Sequence, residues 1–204
     1  MARFSALSVV SRAVAALLDE ASMDDEFPKA QFPLLGTAVI SGVGADENEA
    51  PPGLGVSVFP YRVAHNAQRR PVLPRVTADG QRFRPPVLLD LHLLISAWAS
   101  SAFEQMRLLG WAARMLEDTP ILTPGFLNRW AVGGETVFGS SESVEVVAEP
   151  LSIQELLAIW EVNKHRMQPS LGYVARMIAI DSEVPVPDVG IVRSRTFKPG
   201  VLSE

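Results

Sequence analysis

The segment Val87–Trp98, VLLDLHLLISAW, carries the strongest strand pattern in this chain of 204 residues. Its odd-numbered positions are all apolar, whereas its even-numbered positions mix leucine with Asp90, His92 and Ser96. Because successive side chains of a strand point to opposite faces of the sheet, one face belongs to the core and the other is semi-polar. We therefore predict a central strand whose semi-polar face is covered only in part.

Helices are predicted before and after this strand. Leu7, Val10, Val14 and Leu17 recur at helical spacing within a helix from about Phe4 to Ala21. A second helix runs from about Ala102 to Glu117, and its wide apolar surface indicates contacts on two sides. A third runs from 153 to about 162. The pairs Ser101–Glu104 and Ser152–Glu155 match the capping-box pattern at the starts of the second and third helices.

Further strand patterns complete the fold prediction. They lie near Thr37–Ser41, Val56–Ala64, Ser143–Glu149 and Leu171–Asp181. The fold class is therefore α/β (α+β): a mixed, mostly antiparallel sheet of about five strands, flanked by about three helices. Residues 1–182 form one domain, and the proline-containing residues 183–204 form an extended C-terminal arm.

Composition limits the kinds of site that the chain can build. The absence of cysteine excludes disulfides and thiolate chemistry and is compatible with a cytoplasmic protein. A net charge of −5 argues against a strongly basic nucleic-acid-binding surface. The first apolar run is interrupted by Arg12, so it matches neither a signal peptide nor the ~20 apolar residues of a membrane span.

No catalytic, cofactor or metal site is expected. Asp90, His92 and Ser96 share one strand face, but same-face neighbours are roughly 6.6 Å apart, too far for a directly bonded triad. The histidines, His65, His92 and His165, show no metal-binding spacing, and no phosphate-binding glycine motif is complete. The chain is therefore predicted not to be an enzyme.

Five arginines form the candidate partner site, and they lie in a segment predicted to be a long loop or a loose hairpin. They are Arg69, Arg70, Arg75, Arg82 and Arg84. Guanidinium groups bind carboxylates bidentately, and in a head-to-tail ring these arginines would meet acidic residues such as Asp46 and Glu47 of the next subunit. A solvated loop is the alternative. Nucleic-acid binding is less favoured because few aromatic residues accompany the arginines.

The C-terminal arm offers a second candidate contact. Its apolar residues are Val189, Ile191 and Val192. Extended peptides of this kind add strands to open sheet edges. An unattached terminus is the alternative interpretation.

Four segments together resemble a known family. They are 57–70 (SVFPYRVAHNAQRR), 85–98 (PPVLLDLHLLISAW), 103–122 and 149–182 (EPLSIQELLAIWEVNKHRMQPSLGYVARMIAIDS). They resemble the N-terminal domain of cap, or tail-terminator, proteins of contractile injection systems such as antifeeding-prophage-type particles. The resemblance covers most of residues 1–182 and rests on patterned core segments.

The resemblance implies a structural role. It implies a homo-oligomeric ring, commonly a hexamer, that closes the far end of the inner tube and outer sheath, assembles in the cytoplasm and has no catalytic residues or cofactors. Tube and sheath subunits would be the partners. Three alternatives stay open: a ring or adaptor component elsewhere in the same particle, a small-molecule enzyme using Asp90 and His92, and a nucleic-acid-binding module using the arginines.

Overall fold

The computed structural model describes residues 4–22, 27, 30–36, 52–66, 74–77, 79–161 and 166–186. Within these ranges the helices are α1 (Ala6–Ala21), α2 (Ala102–Asp118), α3 (Pro124–Arg129) and α4 (Ile153–Ile159). The strands are β1 (Gly55–His65), β2 (Arg75–Val76), β3 (Arg82–Phe83), β4 (Val87–Trp98), β5 (Ile121–Leu122), β6 (Val144–Glu149) and β7 (Ser170–Ile180). The predicted strand near 37–41 lies outside the described residues.

The main sheet has the order β1-β4-β7-β6-β5, and all its ladders are antiparallel. A short segment beside β1 adds parallel bridges, Gln31 with Gly55 and Leu34 with Val58. The expected mixed, mostly antiparallel sheet of about five strands is therefore confirmed. β2 and β3 pair separately as a small hairpin.

The larger core lies on the face of the sheet that α1 and α2 cover. β4 contributes its odd-numbered positions, including Leu93 and Ile95, which are fully buried. From α2 the buried residues are Leu108, Ala112 and Leu116. Their spacing of four residues puts them on one side of the helix. The apolar alternation in β4 therefore predicted this face correctly.

The opposite face of β4 is more completely covered than its polar residues suggested. Leu94 and Trp98 belong to a second buried cluster with Leu35, Phe59 and Trp160. His92 and Ser96 on the same face are also buried. Partial cover is confirmed at Leu88 and Asp90, which are half-buried, but it is wrong from His92 to Trp98, because α4 and the segment beside β1 supply apolar side chains to this part of the face. We call this group the second-face core.

Local signals set the ends of the helices. At the start of α4, Ser152 Oγ accepts a hydrogen bond from Glu155 N, and Ser152 N donates to the Glu155 carboxylate at 2.9 Å, so the capping box is complete. At the start of α2, Ser101 Oγ accepts from Glu104 N at 3.2 Å. The helix α3 and the strand β5, which precede β6, were not predicted, because each is too short to show a period.

One glycine permits a close backbone approach. Gly55 begins β1 with φ of +147°, and a Cβ there would lie 1.9 Å from the carbonyl oxygen of Gln31. The parallel segment therefore reaches β1 only because this position lacks a side chain. Gln31 N then donates to Leu54 O, and Val56 N donates to Gln31 O.

Candidate interaction surface

The predicted site residues fall partly inside the structure. Arg75, Arg82 and Arg84 lie in or next to the β2–β3 hairpin. The remaining predicted interface residues lie outside the described residues: Arg69, Arg70, Asp46, Glu47, Val189, Ile191 and Val192. The pairing of the arginine-rich hairpin with an acidic segment therefore stays a prediction.

The hairpin is short but well defined. Arg75 pairs with Phe83 and Val76 pairs with Arg82 in antiparallel register. Thr77 closes the turn, since its backbone N–H and its hydroxyl both donate to the carbonyl oxygen of Gln81, at 2.9 and 3.0 Å. Of the two readings of this segment, a long loop and a loose hairpin, the described part confirms the hairpin.

The arginines of the hairpin occupy different environments. The Arg75 guanidinium lies 4.2 Å from the centre of the Phe83 ring, a cation–π contact. Arg82 and Arg84 are exposed. They stand two positions apart on an extended segment, so their side chains project from the same side. The hairpin therefore presents two outward guanidinium groups on a chain whose net charge is −5.

The first residues of the C-terminal arm pair with this hairpin. Phe83 and Pro185 form an antiparallel bridge. Arg84 N donates to Val184 O at 3.0 Å, and Val186 N donates to Arg82 O at 2.8 Å. Residues 184–186 of the arm thus add as a strand to the hairpin of the same chain, and we call them the docking strand. The sequence did not indicate that the hairpin is its acceptor.

The three polar residues of β4 belong to separate networks. Asp90 accepts from Asn66 Nδ2 at 2.9 Å and from the backbone N–H of Met177 at 2.9 Å. Ser96 Oγ lies 2.8 Å from Ser170 Oγ. The Nδ1 atom of His92 lies 2.6 Å from the Glu149 carboxylate. Since each residue is bonded elsewhere, they do not form a catalytic triad, in agreement with the strand geometry.

A cleft that the sequence did not indicate opens beside His92. Its volume is about 230 Å³, and its lining includes Tyr61, Arg62, Glu149 and Glu155. The Tyr61 hydroxyl donates to Glu149 Oε2 at 3.3 Å. Burial, and then the nearby negative charge of Glu149, raise the pKa of Tyr61 to about 12. Tyr61 therefore stays protonated and holds the carboxylate as a donor.

No sequence pattern indicates this cleft, because Tyr61 and Glu149, which are hydrogen-bonded to each other in it, are 88 positions apart. Hydrogen bonds from the Ser152 side chain and backbone lower the pKa of Glu155, whose carboxylate completes the capping box of α4. Both acidic groups of the cleft are thus bound to neighbours: Glu149 to Tyr61 and His92, and Glu155 to Ser152 at the start of α4. This arrangement stabilises structure and does not present a free base.

Among the described residues, no group of three or more histidine, aspartate or glutamate side chains is placed to hold a metal ion. None of the helices in the described part is long and apolar enough to cross a bilayer.

Two helices carry exposed apolar side chains. On α2, Phe103 and Met106 are 73% and 52% exposed, opposite the side that packs on the core. On α4, Ile153 and Leu157 are 64% and 44% exposed and lie one turn apart. One side of α2 packs on the core, as predicted, and the contact predicted for its other side, which is an exposed apolar surface, stays a prediction.

Comparison with known proteins agrees with the architecture. The chain matches the Pvc16 N-terminal domain family over residues 6–194. A sheath/tube terminator of an extracellular contractile injection system, the PVC particle in its extended state, is 18% identical with a TM-score of 0.53. The tube-terminating cap of the anti-feeding prophage is 15% identical with a TM-score of 0.52.

The two alignments cover nearly all of this chain but only part of each terminator. The alignments cover 96% and 93% of this chain but 65% and 60% of those two chains. The chain therefore spans less than two thirds of the length of either terminator, and it shares their fold over that part. No curated protein matches it.

Proposed function

Because the chain belongs to the Pvc16 N-terminal domain family, we propose that it is a structural part of a terminator cap. The cap closes the inner tube and sheath of a phage-tail-like contractile injection particle. The observation that carries the proposal is the shared fold along 96% and 93% of the chain with terminators from two such particles.

A structural role suits the way the polar residues are used. The buried His92 is bonded to Glu149, and Asp90 is bonded to Asn66 and to a backbone N–H of β7. These bonds connect the central strand to the end of β6, to the residue after β1 and to β7. In this role the chain carries out no reaction and joins other copies in a ring, which by the family resemblance has six members.

The hairpin is the surface that best fits contact between copies. Arg82 and Arg84 are exposed on one side of it, whereas the chain as a whole carries a net charge of −5. A basic patch of one subunit therefore faces a predominantly acidic surface on the next. Such complementarity selects the partner and fixes orientation, and a head-to-tail contact that repeats by rotation closes a ring.

Co-expression with the tube and sheath subunits of its own particle tests this function. Particles assembled with the chain are expected to have one closed end and uniform length in electron micrographs. Particles assembled without it are expected to have variable length. Uniform, closed particles in the absence of the chain would refute the proposal.

A charge variant separates the hairpin from a general effect of charge. We expect Arg84→Glu to weaken ring formation and capping together, because it replaces one of the two outward positive charges with a negative charge. Arg12→Glu is the matched control, since Arg12 is exposed on α1 and the net charge changes equally. If both variants assemble alike, the hairpin is not the contact.

A further inference from the structure

Backbone hydrogen bonds, and not side-chain burial, attach the docking strand (residues 184–186) to the hairpin. Its two hydrogen bonds to Arg82 and Arg84 frame the pair Phe83–Pro185. Val184 is 47% exposed and Pro185 is exposed as well. A segment held mainly through its backbone gains the same contacts from any copy of the same hairpin.

The junction before the docking strand is out of register. The last pair of β4 and β7 is Val87 with Ile180, and the next pair is Phe83 with Pro185. Four residue steps separate the pairs on the hairpin side and five on the other, so residues 181–183 absorb one extra residue. Such an insertion bends the strand away from regular pairing.

The same junction contains a buried polar atom that lacks a partner. Oδ2 of Asp181 is buried and has no hydrogen-bond partner among the described residues. Burying a carboxylate oxygen without a donor is unfavourable, and most buried polar groups in folded proteins are paired. Within the described residues, the closed arrangement therefore leaves one polar group without a partner at the point where the arm departs.

Pro185 limits the hairpin to one added strand. In a pair framed by flanking hydrogen bonds, the N and C=O groups of both residues point away from the partner strand. The missing N–H of Pro185 thus lies on the outer edge, where a further strand would need a donor. Once the docking strand is seated, the edge is protected against continued addition.

We propose that neighbouring copies exchange their docking strands, so that residues 184–186 of one subunit occupy the β2–β3 hairpin of the next. The hydrogen bonds lost within a chain are regained between chains, which keeps the cost of exchange low. The four residue steps from Ile180 to Val184 span at most about 13 Å, so exchange requires the hairpin of the neighbouring copy to lie within that distance of the end of β7. This inference rests on the proposed function, because a ring supplies the neighbour.

Engineered cysteines test the exchange directly, since the chain has no cysteine of its own. Residues 83 and 185 face each other across a pair whose Cα atoms are about 4.5 Å apart, which suits a disulfide. Phe83→Cys is placed in a chain with a large N-terminal tag and Pro185→Cys in a chain with a small one. The two are co-expressed, the assembled fraction is isolated and oxidised, and the products are separated without reductant.

Exchange predicts a disulfide-linked species that contains both tags, involving about half of the chains in a randomly mixed ring. Asp79→Cys, in the hairpin turn, paired with Pro185→Cys is the control and is expected to give no linked species. A single chain carrying both Phe83→Cys and Pro185→Cys is expected to lose assembly when oxidised as a monomer and to regain it on reduction.

Two results would overturn the inference. If rings assembled from the two singly substituted chains give no linked species that contains both tags, the docking strand is not exchanged, although the proposed cap function stands. If the oxidised double variant assembles and caps as well as the reduced one, release of the docking strand is not needed. A chain that never assembles with itself or with tube and sheath removes both the inference and the proposed function.

Discussion

Two tryptophans meet in the second-face core, and we expect them to respond differently to the same substitution. The rings of Trp98 and Trp160 contact edge to face, with centroids 6.2 Å apart. The indole N–H of Trp98 donates to Ser57 Oγ at 2.8 Å in a buried site. The indole nitrogen of Trp160 is buried too, but it has no hydrogen-bond partner within the described part of the chain.

The structure gives the magnitudes. Replacing either tryptophan with phenylalanine removes part of a buried ring, which costs about 1 kcal/mol. Trp98→Phe also leaves the Ser57 hydroxyl without its donor, adding about 1–3 kcal/mol. Trp160→Phe instead removes an unpaired buried N–H, and that relief of about 1–3 kcal/mol offsets the lost area. The expected cost is therefore about 2–4 kcal/mol at Trp98, whereas Trp160→Phe should be neutral or stabilise the fold by up to about 2 kcal/mol.

Urea and thermal unfolding of the two variants measure the difference. For a domain of this size each kcal/mol shifts Tm by about 2–4 °C, so a difference of about 2 kcal/mol or more puts the Tm of the Trp98→Phe variant at least about 4–8 °C below that of the Trp160→Phe variant. Ser57→Ala serves as the control, because it should cost little when added to Trp98→Phe. Equal losses at the two positions, or a larger loss at Trp160, would refute the reasoning.

Four further predictions concern the residues around the site. Gly55→Ala is expected to destabilise the fold by about 1–3 kcal/mol or more, because its Cβ would meet the Gln31 backbone, whereas Gly53→Ala, with open space around it, should stay within about 0.5 kcal/mol in urea unfolding. Ser152→Ala should cost about 1 kcal/mol by removing the cap of α4. The pKa of Glu155 is lowered in the folded protein, so its stabilising contribution is present above the ordinary pKa of 4.5 and is lost as pH falls through the lower folded value. Amide hydrogen exchange of α4 should therefore become faster in acid, and this effect of acid should be absent in Glu155→Gln. Both tyrosines, Tyr61 and Tyr173, have pKa values raised to about 12, so ultraviolet titration should show neither ionised at pH 10 in the folded protein. Because these pKa values are raised, the associated stability is present below pH 10 and is lost as pH rises towards 12; a tyrosine that titrates near 10 without unfolding would contradict this.

Periodic segments made most of the fold predictable. The alternation in Val87–Trp98 predicted the interior strand, and the pairs Ser101–Glu104 and Ser152–Glu155 predicted the starts of α2 and α4 to the residue. These signals are local, since they depend on neighbours within one strand or one helical turn. The family resemblance came from the same segments.

Long-range contacts account for what the sequence did not show. Cover of the second face from His92 to Trp98 depends on Leu35 and Trp160, which are far apart in the chain and carry no shared pattern. The pairing of Phe83 with Pro185 depends on where β7 ends relative to β4, which no local rule gives. The partner of His92 was likewise unpredictable, because Glu149 ends another strand.

Localising the chain within assembled particles tests the central claim most directly. A gold-labelled N-terminal tag, imaged by electron microscopy on intact particles, is expected to mark one end only, at the last layer of tube and sheath. Label along the shaft, at the opposite end, or absent from particles that are nevertheless closed would contradict a terminator role.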